Sequence, residues 1–409
     1  MSFRHLTRWL YLGHRWLGIA LGTMVLLWFL SGLVMLFVAR PEFSETERLA
    51  SLPHIDAKQV RISPLAAWQA LGLSGAPESI RLDASGNQPT YRILAHRQWF
   101  AVDASSGRVL PPIDRDSARR LAERHAGSAA VENISLLERD QWTLYRRFDP
   151  FRPFWHIQFA DGRELYVAMR SGELVLDTTP MERSWNWLGS VVHWLYFTPL
   201  RENPGLWRNL VLWVSFSALL LAFSGFLIGW QRLRLRNRYG GMHVTPYRSH
   251  WKRRHHLLGL AAALILCTWL VSGWLSLGPF GFATAPKLPA HTGTLLTPLL
   301  NELPKPDPAA RELEWRLLGQ TRLYIEKRGK DSRIGRDGQP ISPMLSLSEI
   351  ASAANTLGIG TVRHAAWLYT ADSRYYPLRH HPRAFPVARV EFEDAAATVL
   401  YISTHNSRI

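Results

Sequence analysis

Three long apolar runs divide the chain into membrane-like and polar segments. The runs cover residues 16–39, 206–230 and 257–277. A helix needs about 20 consecutive apolar residues to cross the hydrocarbon core of a bilayer. Each run therefore predicts a transmembrane helix. We place these helices at 16–39, 206–230 and 255–277, the last beginning with two histidines.

Basic residues set the predicted orientation of these helices. The segment 231–254 holds eight Arg and Lys residues and no Asp or Glu, and residues 1–15 hold three Arg and no acidic residue. The positive-inside rule predicts that both lie in the cytoplasm. The polar segments 40–184 and 278–409 are then expected on the outer side. The aromatic stretch 185–205 suits the outer membrane–water interface.

The polar segments predict small α+β modules. Residues 40–184 contain two tandem copies of a helix followed by alternating strands, with matching glycine turns at Gly107 and Gly172. The predicted fold class is an α-helical membrane protein whose outer α+β domains are small antiparallel sheets with packed helices. The predicted helices are 63–73, 114–125 and 346–357, and the predicted strands are 91–95, 99–102, 155–159, 165–168, 321–325, 387–392 and 398–403.

Charge and cysteine content narrow the classes of function. The formal net charge of +16 raises nucleic-acid binding, but the densest basic run adjoins predicted membrane helices, where the positive-inside rule accounts for it. The single cysteine, Cys267, lies inside a predicted span. It excludes an intrachain disulfide, a CxxC metal site and an iron–sulfur cluster held by this chain's thiolates.

Two histidines occupy the same place in a long internal repeat. His14 precedes Arg-Trp-Leu-Gly-Ile-Ala, and His255, 241 residues later, precedes His-Leu-Leu-Gly-Leu-Ala. A second matching pair, Tyr166 and Tyr401, is 235 residues apart. Such a repeat predicts one structural unit used twice. The counterpart of His193 would fall near position 428, beyond the last residue, so we expect the second copy to lack its final span and histidine.

The histidine pair predicts a haem site. The helices that begin with His14 and His255 both run outward, so their imidazoles are expected at one depth near the inner face. Imidazoles from facing helices are the axial ligands of a bis-histidine haem. The alternative for each histidine alone is a polar cap among lipid headgroups. His256 is the neighbouring alternative to His255, because a step of about 100° along a helix lets only one of them face the bundle.

The motifs of the chain resemble those of a known family over nearly its whole length. The resemblance is to the PepSY-associated transmembrane proteins, which include ferrisiderophore reductases of the bacterial inner membrane. The motifs that carry it are the turn Val102-Asp-Ala-Ser-Ser-Gly107, the stretch Val192-His193-Trp-Leu-Tyr-Phe, the series Pro246-Tyr247, Trp251 and His255-His256-Leu-Leu-Gly, and the series Trp269, Ser272-Gly273 and Ser276.

This resemblance implies an inner-membrane protein with periplasmic PepSY domains that passes electrons through haem b to a ferric siderophore or another ferric chelate. His14 and His255 would ligate the iron of the inner haem, and His193 that of an outer haem. The implied partners are the lipid bilayer, a cytoplasmic or membrane electron donor and the ferric chelate, without nucleic acid. No catalytic residue is indicated. The alternatives are a haem-free, membrane-anchored PepSY protein that binds or regulates proteases, and a truncated inactive homologue.

Overall fold

The computed structural model describes residues 3–127, 129–236, 239, 243–279, 298–329, 331–336, 344–377, 383 and 385–403. The chain forms two compact units. The helical unit comprises Met1–Arg40 and Ser184–Lys287, and the sheet unit comprises Pro41–Arg183 and Leu288–Ile409. Each unit therefore combines two separate parts of the chain.

Ten α-helices lie within the described residues, and most of the helical unit is built from α1, α8 and α9. A π-helical turn, Trp187–Val191, joins α5 to α6. The helices are α1 Phe3–Met35, α2 Glu45–Ser51, α3 Pro64–Ala70, α4 Arg115–Ala126, α5 Pro180–Asn186, α6 Val192–Trp194, α7 Thr198–Arg201, α8 Pro204–Arg232, α9 His250–Ser276 and α10 Leu347–Asn355.

Three of the described helices are long and apolar enough to cross a membrane, which confirms the predicted membrane class. The candidate spans are Thr7–Met35, Pro204–Arg232 and His250–Ser276. They begin earlier than predicted, so much of the expected cytoplasmic tail 1–15 belongs to α1 and the end of the expected loop 231–254 belongs to α9. Their large apolar side chains are mostly exposed in the chain itself, as lipid-facing surfaces require.

Thirteen strands lie within the described residues of the sheet unit. They form three antiparallel sheets, with strand orders β10-β9-β8-β1-β2-β3, β4-β5-β6-β7 and β11-β12-β13. The strands are β1 Ser79–Asp83, β2 Thr90–Ala95, β3 Gln98–Asp103, β4 Val131–Leu137, β5 Phe154–Phe159, β6 Glu164–Ala168, β7 Leu174–Thr178, β8 Glu312–Leu318, β9 Thr321–Lys327, β10 Ser332–Arg336, β11 Thr361–Leu368, β12 Val387–Glu393 and β13 Val399–Ser403.

One sheet joins the two polar segments that the sequence treats as separate domains, 40–184 and 278–409. Strand β1 pairs with β8 in antiparallel register, with Ile80 opposite Trp315. Both residues lie in one hydrophobic core, which includes side chains from both segments. The two segments are therefore parts of one folded unit. Residues 280–297, near the start of the second segment, lie outside the described part of the chain.

Charged side chains are buried where β1, β8 and β9 meet. Lys327 lies 2.8 Å from Glu312 and 2.7 Å from Glu314, and Arg48 of α2 forms a two-point pair with Glu312. The side chains of Glu312, Glu314 and Lys327 are at most 6% exposed. Buried charges of this kind are tolerated because each has an opposite charge and hydrogen bonds in direct contact.

Candidate functional site

His14 is held against α8 by a hydrogen-bonded serine. Its Nδ1 lies 3.2 Å from the carbonyl oxygen of Leu221 and 3.1 Å from Oγ of Ser224. Ser224 donates its own hydroxyl hydrogen to the same carbonyl at 2.9 Å. Because a carbonyl only accepts hydrogen bonds, Nδ1 carries the hydrogen and Nε2 keeps its lone pair. This is the orientation and tautomer of a metal-ligating histidine.

Gly225 allows the imidazole of His14 to lie directly on the α8 backbone. A Cβ placed at Gly225 would lie 2.8 Å from Cε1 of His14, which is closer than two carbons can approach. The glycine therefore permits the hydrogen bonds to Leu221 and Ser224, and any larger residue would displace the ring.

His255 of α9 faces His14 across the helical unit. The two ring centroids are 6.2 Å apart, and the ring planes make an angle of 38°. Two imidazoles bound to opposite sides of one metal ion through bonds of about 2 Å have centroids about 6 to 6.5 Å apart. The separation of His14 and His255 therefore matches that of two axial ligands. Within the described part of the chain, the imidazole of His255 has no hydrogen-bond partner.

Glycines leave space on the helix faces that carry the two histidines. Gly18 and Gly22 lie one and two turns beyond His14, and Gly259 lies one turn beyond His255. A Cβ at Gly22 or Gly259 would meet no described atom within 4 Å, and one at Gly18 would meet only Leu221. A flat group held between the histidines would have room beside these positions.

His256 uses both of its ring nitrogens within the protein. Its Nε2 lies 2.9 Å from the carbonyl oxygen of Gly229, and its Nδ1 lies 2.8 Å from Oγ1 of Thr245. The carbonyl must accept, so Nε2 donates and Nδ1 accepts the hydroxyl hydrogen of Thr245. His256 is also buried, with 6% of its surface exposed. It ties α9 to α8 and leaves no free nitrogen for a metal ion.

His193 repeats the arrangement of His14 at the other end of α1. Its Nδ1 lies 3.1 Å from the carbonyl oxygen of Trp28 and 3.3 Å from Oγ of Ser31. Ser31 donates to the same carbonyl at 3.1 Å, and a Cβ at Gly32 would lie 3.1 Å from Cε1 of His193. The Nδ1 of His193 is thus also fixed as a donor, and Nε2 keeps its lone pair.

The imidazoles of His14 and His193 therefore each pack on a Ser-Gly pair in a membrane helix, Ser224-Gly225 and Ser31-Gly32 respectively. The sequence repeat has a third such pair in α9, where Ser272 donates to the carbonyl of Trp269 at 2.9 Å. A Cβ at Gly273 would meet no described atom within 4 Å. Trp28-Phe-Leu-Ser-Gly and Trp269-Leu-Val-Ser-Gly are 241 residues apart, which is the offset of His14 and His255. Sequence reasoning missed the role of these pairs, although this shared offset was the signal for it.

The two docked histidines lie far apart along α1. His14 is 14 residues before Trp28 and 17 before Ser31, which corresponds to about 21 to 26 Å of helix. The hydrocarbon core of a bilayer is about 30 Å thick. The helical unit thus places the imidazoles of His14 and His193, each with its Nδ1 held as a donor, near opposite ends of a membrane-length helix.

The described residues define a membrane protein with an α+β unit and paired, oriented histidines in its helices. The chain belongs to the family of the PepSY-associated TM region, whose model matches residues 11–397. This match confirms the resemblance seen in the sequence. No curated protein and no solved structure matches the chain.

Proposed function

We propose that this protein is a haem-dependent reductase of the bacterial inner membrane that passes electrons to periplasmic ferric chelates. The observation that carries the proposal is the pairing of His14 with His255. Their centroid separation of 6.2 Å suits two axial ligands, and the Nδ1 contacts of His14 leave its Nε2 available for iron. Space beside Gly22 and Gly259 is consistent with a large flat cofactor.

The protein's part in this chemistry is to hold and orient ligands. Haem iron cycles between Fe(III) and Fe(II) and so supplies one-electron transfer. Leu221 and Ser224 fix the ring of His14, and because they accept the hydrogen of Nδ1 they make Nε2 a stronger electron-pair donor to iron. We assign the ligand role opposite His14 to His255, because both nitrogens of His256 have other partners.

His193 is the proposed ligand of an outer haem. It has the same docking contacts as His14, and it lies about 21 to 26 Å farther along α1. The residues that would hold the two haems are thus spread over most of the hydrocarbon core, and haem bound at both places would supply one-electron transfer across it. We infer the direction of electron transfer, from the cytoplasm outward, from the eight basic residues of 231–254, which favour a cytoplasmic location for the end of the helical unit near His255.

The proposed substrate is a ferric chelate such as a ferric siderophore. One electron converts its Fe(III) to Fe(II), and the siderophore leaves unchanged. Hard oxygen ligands bind Fe(II) less tightly than Fe(III), so reduction releases the metal. The electron would come from a cytoplasmic or membrane donor.

The test is the visible spectrum of the purified full-length protein, reduced minus oxidised, with haem counted per chain. We expect b-type bands, and we expect His14→Ala and His255→Ala each to lose the inner haem, seen as one haem fewer per chain. His250→Ala is the matched control, because His250 is an exposed histidine at the start of the same helix as His255. It should keep the wild-type haem content.

A ligand exchange separates ligation from folding. His255→Met should retain haem with a higher reduction potential, since Met/His ligation raises the potential relative to bis-His ligation. A bis-histidine spectrum and a haem count that are both unchanged from wild type in the two alanine variants would contradict the proposal. A wild-type protein without haem would instead favour the membrane-anchored PepSY binding protein.

A further inference from the structure

We propose that Asp140, His156 and Glu164 of the sheet unit form a binding site for one first-row divalent metal ion. One ligand atom from each residue lies within 4.8 Å of the others. Three atoms evenly spaced around a single ion at about 2.1 Å lie at most about 3.6 Å apart. The three side chains must therefore approach one another by up to about 1.2 Å to bind one ion.

Strand pairing and a tight turn bring the three residues together. His156 of β5 pairs with Tyr166 of β6, and Glu164 lies two residues before Tyr166 on the same face. The rings of His156 and Tyr166 stack with centroids 4.8 Å apart. Asp140 is fixed from the other side, because its Oδ1 accepts hydrogen bonds from the backbone and hydroxyl of Thr143 at 3.0 and 2.7 Å. Its Oδ2 is left to face the cluster.

The phenol of Tyr166 contacts both carboxylates of the cluster but has a hydrogen for only one of them. The phenol oxygen of Tyr166 lies 2.5 Å from Oδ2 of Asp140 and 3.1 Å from Oε2 of Glu164. A phenol has one hydrogen, so one of these contacts brings two oxygens together without a hydrogen between them. A cation bound to the two carboxylates would relieve the contact.

The second copy of the repeat has the same tyrosine–aspartate pair but different charged residues around it. There Tyr401 donates to Asp372 at 2.7 Å, as Tyr166 does to Asp140. Arg389 pairs with Tyr401 at the position of His156, and Val399 stands at the position of Glu164. The guanidinium of Arg389 lies 3.7 Å from Asp372. The second copy therefore has a built-in cation beside its aspartate.

The first copy has His156 in place of that arginine and has an additional carboxylate. Arg183 lies 3.5 Å from Oε1 of Glu164. The oxygen that faces the cluster, Oε2, instead lies 3.1 Å from Nε2 of His156. An imidazole with two carboxylates is a donor set for Fe(II), Mn(II) or Zn(II) rather than for Mg(II) or Ca(II). The metal site is inferred from its three residues alone. The identification of Fe(II) as its natural occupant rests on the proposed reductase function.

The test is equilibrium dialysis of the full-length protein against Co(II), with bound cobalt counted by elemental analysis. We expect one cobalt per chain at this site. The double variant His156→Arg with Glu164→Val copies the residues of the second repeat, so it should fold and bind cobalt at least ten-fold more weakly. Asp161→Asn, which alters an exposed carboxylate at the turn between β5 and β6, is the matched control and should bind as wild type does.

A second variant and a thermal unfolding measurement separate loss of metal binding from loss of folding. Glu164→Gln serves where the double variant does not fold, and the unfolding temperature of wild type should rise with Co(II) because an ion bound only to the folded state stabilises it. Equal cobalt binding by wild type and the variants, or none by wild type, would overturn the proposal. The haem spectrum of the same samples reports the reductase proposal separately. Competition by anaerobic Fe(II) tests the natural occupant.

Discussion

Replacing Gly225 with alanine tests whether the docking of His14 supports haem binding. The new Cβ would lie 2.8 Å from Cε1 of His14. To reach an ordinary contact of about 3.4 Å or more, the ring must withdraw by about 0.6 Å. Its Nδ1 is already 3.2 Å from the carbonyl of Leu221, so this movement takes the contact beyond hydrogen-bond range.

The expected effect on haem affinity follows from two independent magnitudes. Removing the hydrogen-bond partner of a ligating histidine weakens metal binding by about 10- to 100-fold. Forcing an additional methyl group into a packed site costs about 1 to 3 kcal/mol, and a ten-fold change corresponds to about 1.4 kcal/mol. Both lead to the same range. We therefore expect Gly225→Ala to hold the inner haem about 10- to 100-fold less tightly.

The assay is the rate of haem transfer from the purified protein to an excess of a haem-binding acceptor, followed by absorbance. Gly13→Ala is the matched control, because Gly13 is next to His14 and a Cβ there would meet no described atom within 4 Å. Both changes replace a helical glycine with alanine. Equal haem retention and equal spectra in Gly225→Ala and Gly13→Ala would refute the docking role of His14.

Three predictions concern the sheet unit. Lys327→Met leaves Glu312 and Glu314 buried beside one fewer cation, so the free energy of unfolding should fall by about 3 to 5 kcal/mol in denaturant titrations followed by tryptophan fluorescence. Burial would raise the pKa of Glu312, but Lys327 holds it well below its usual range. The stability that ionised Glu312 contributes should therefore be constant above about pH 5 and be lost as the pH drops below about 4. An acid-unfolding midpoint that is the same in Lys327→Met as in wild type would exclude Glu312 as its cause. Gly319→Ala should lower the unfolding temperature, since φ there is +58° and a Cβ would lie 2.6 Å from the carbonyl oxygen of Ala353; an unchanged unfolding temperature would contradict this.

Local signals in the sequence predicted many elements of the sheet unit. The expected helices at 63–73, 114–125 and 346–357 exist, and each has a side-chain cap at its start, from Ser63, Asp114 and Ser346 respectively. A polar residue just before an apolar-periodic run fixes such a start through local hydrogen bonds, which a sequence displays directly. The predicted strands at 91–95, 99–102, 155–159 and 165–168 are found close to their predicted positions as β2, β3, β5 and β6, for the same local reason.

Pairing between distant parts of the chain could not be predicted in this way. Strand β1 has charged residues at Arg81 and Asp83 that are buried, because they pair with Glu173 in the turn before β7 and with Arg92 of β2. The alternation expected of a half-buried strand is therefore hidden. The candidate haem site shows the same division. The repeat located His14 and His255, but the choice against His256 depends on Thr245 and Gly229, which only the folded helices bring to it.

The shared sheet also constrains how the chain is made. During synthesis, Ile80 of β1 cannot pair with Trp315 of β8 until 235 further residues have been added. At about 5 to 20 residues per second this interval is about 12 to 47 seconds. During it, the edge of β1 is an open template for pairing with other chains. Because α8 and α9 lie between the two strands, the sheet also forms only if both helices insert as a hairpin, so correct membrane insertion is a condition for folding of the sheet unit.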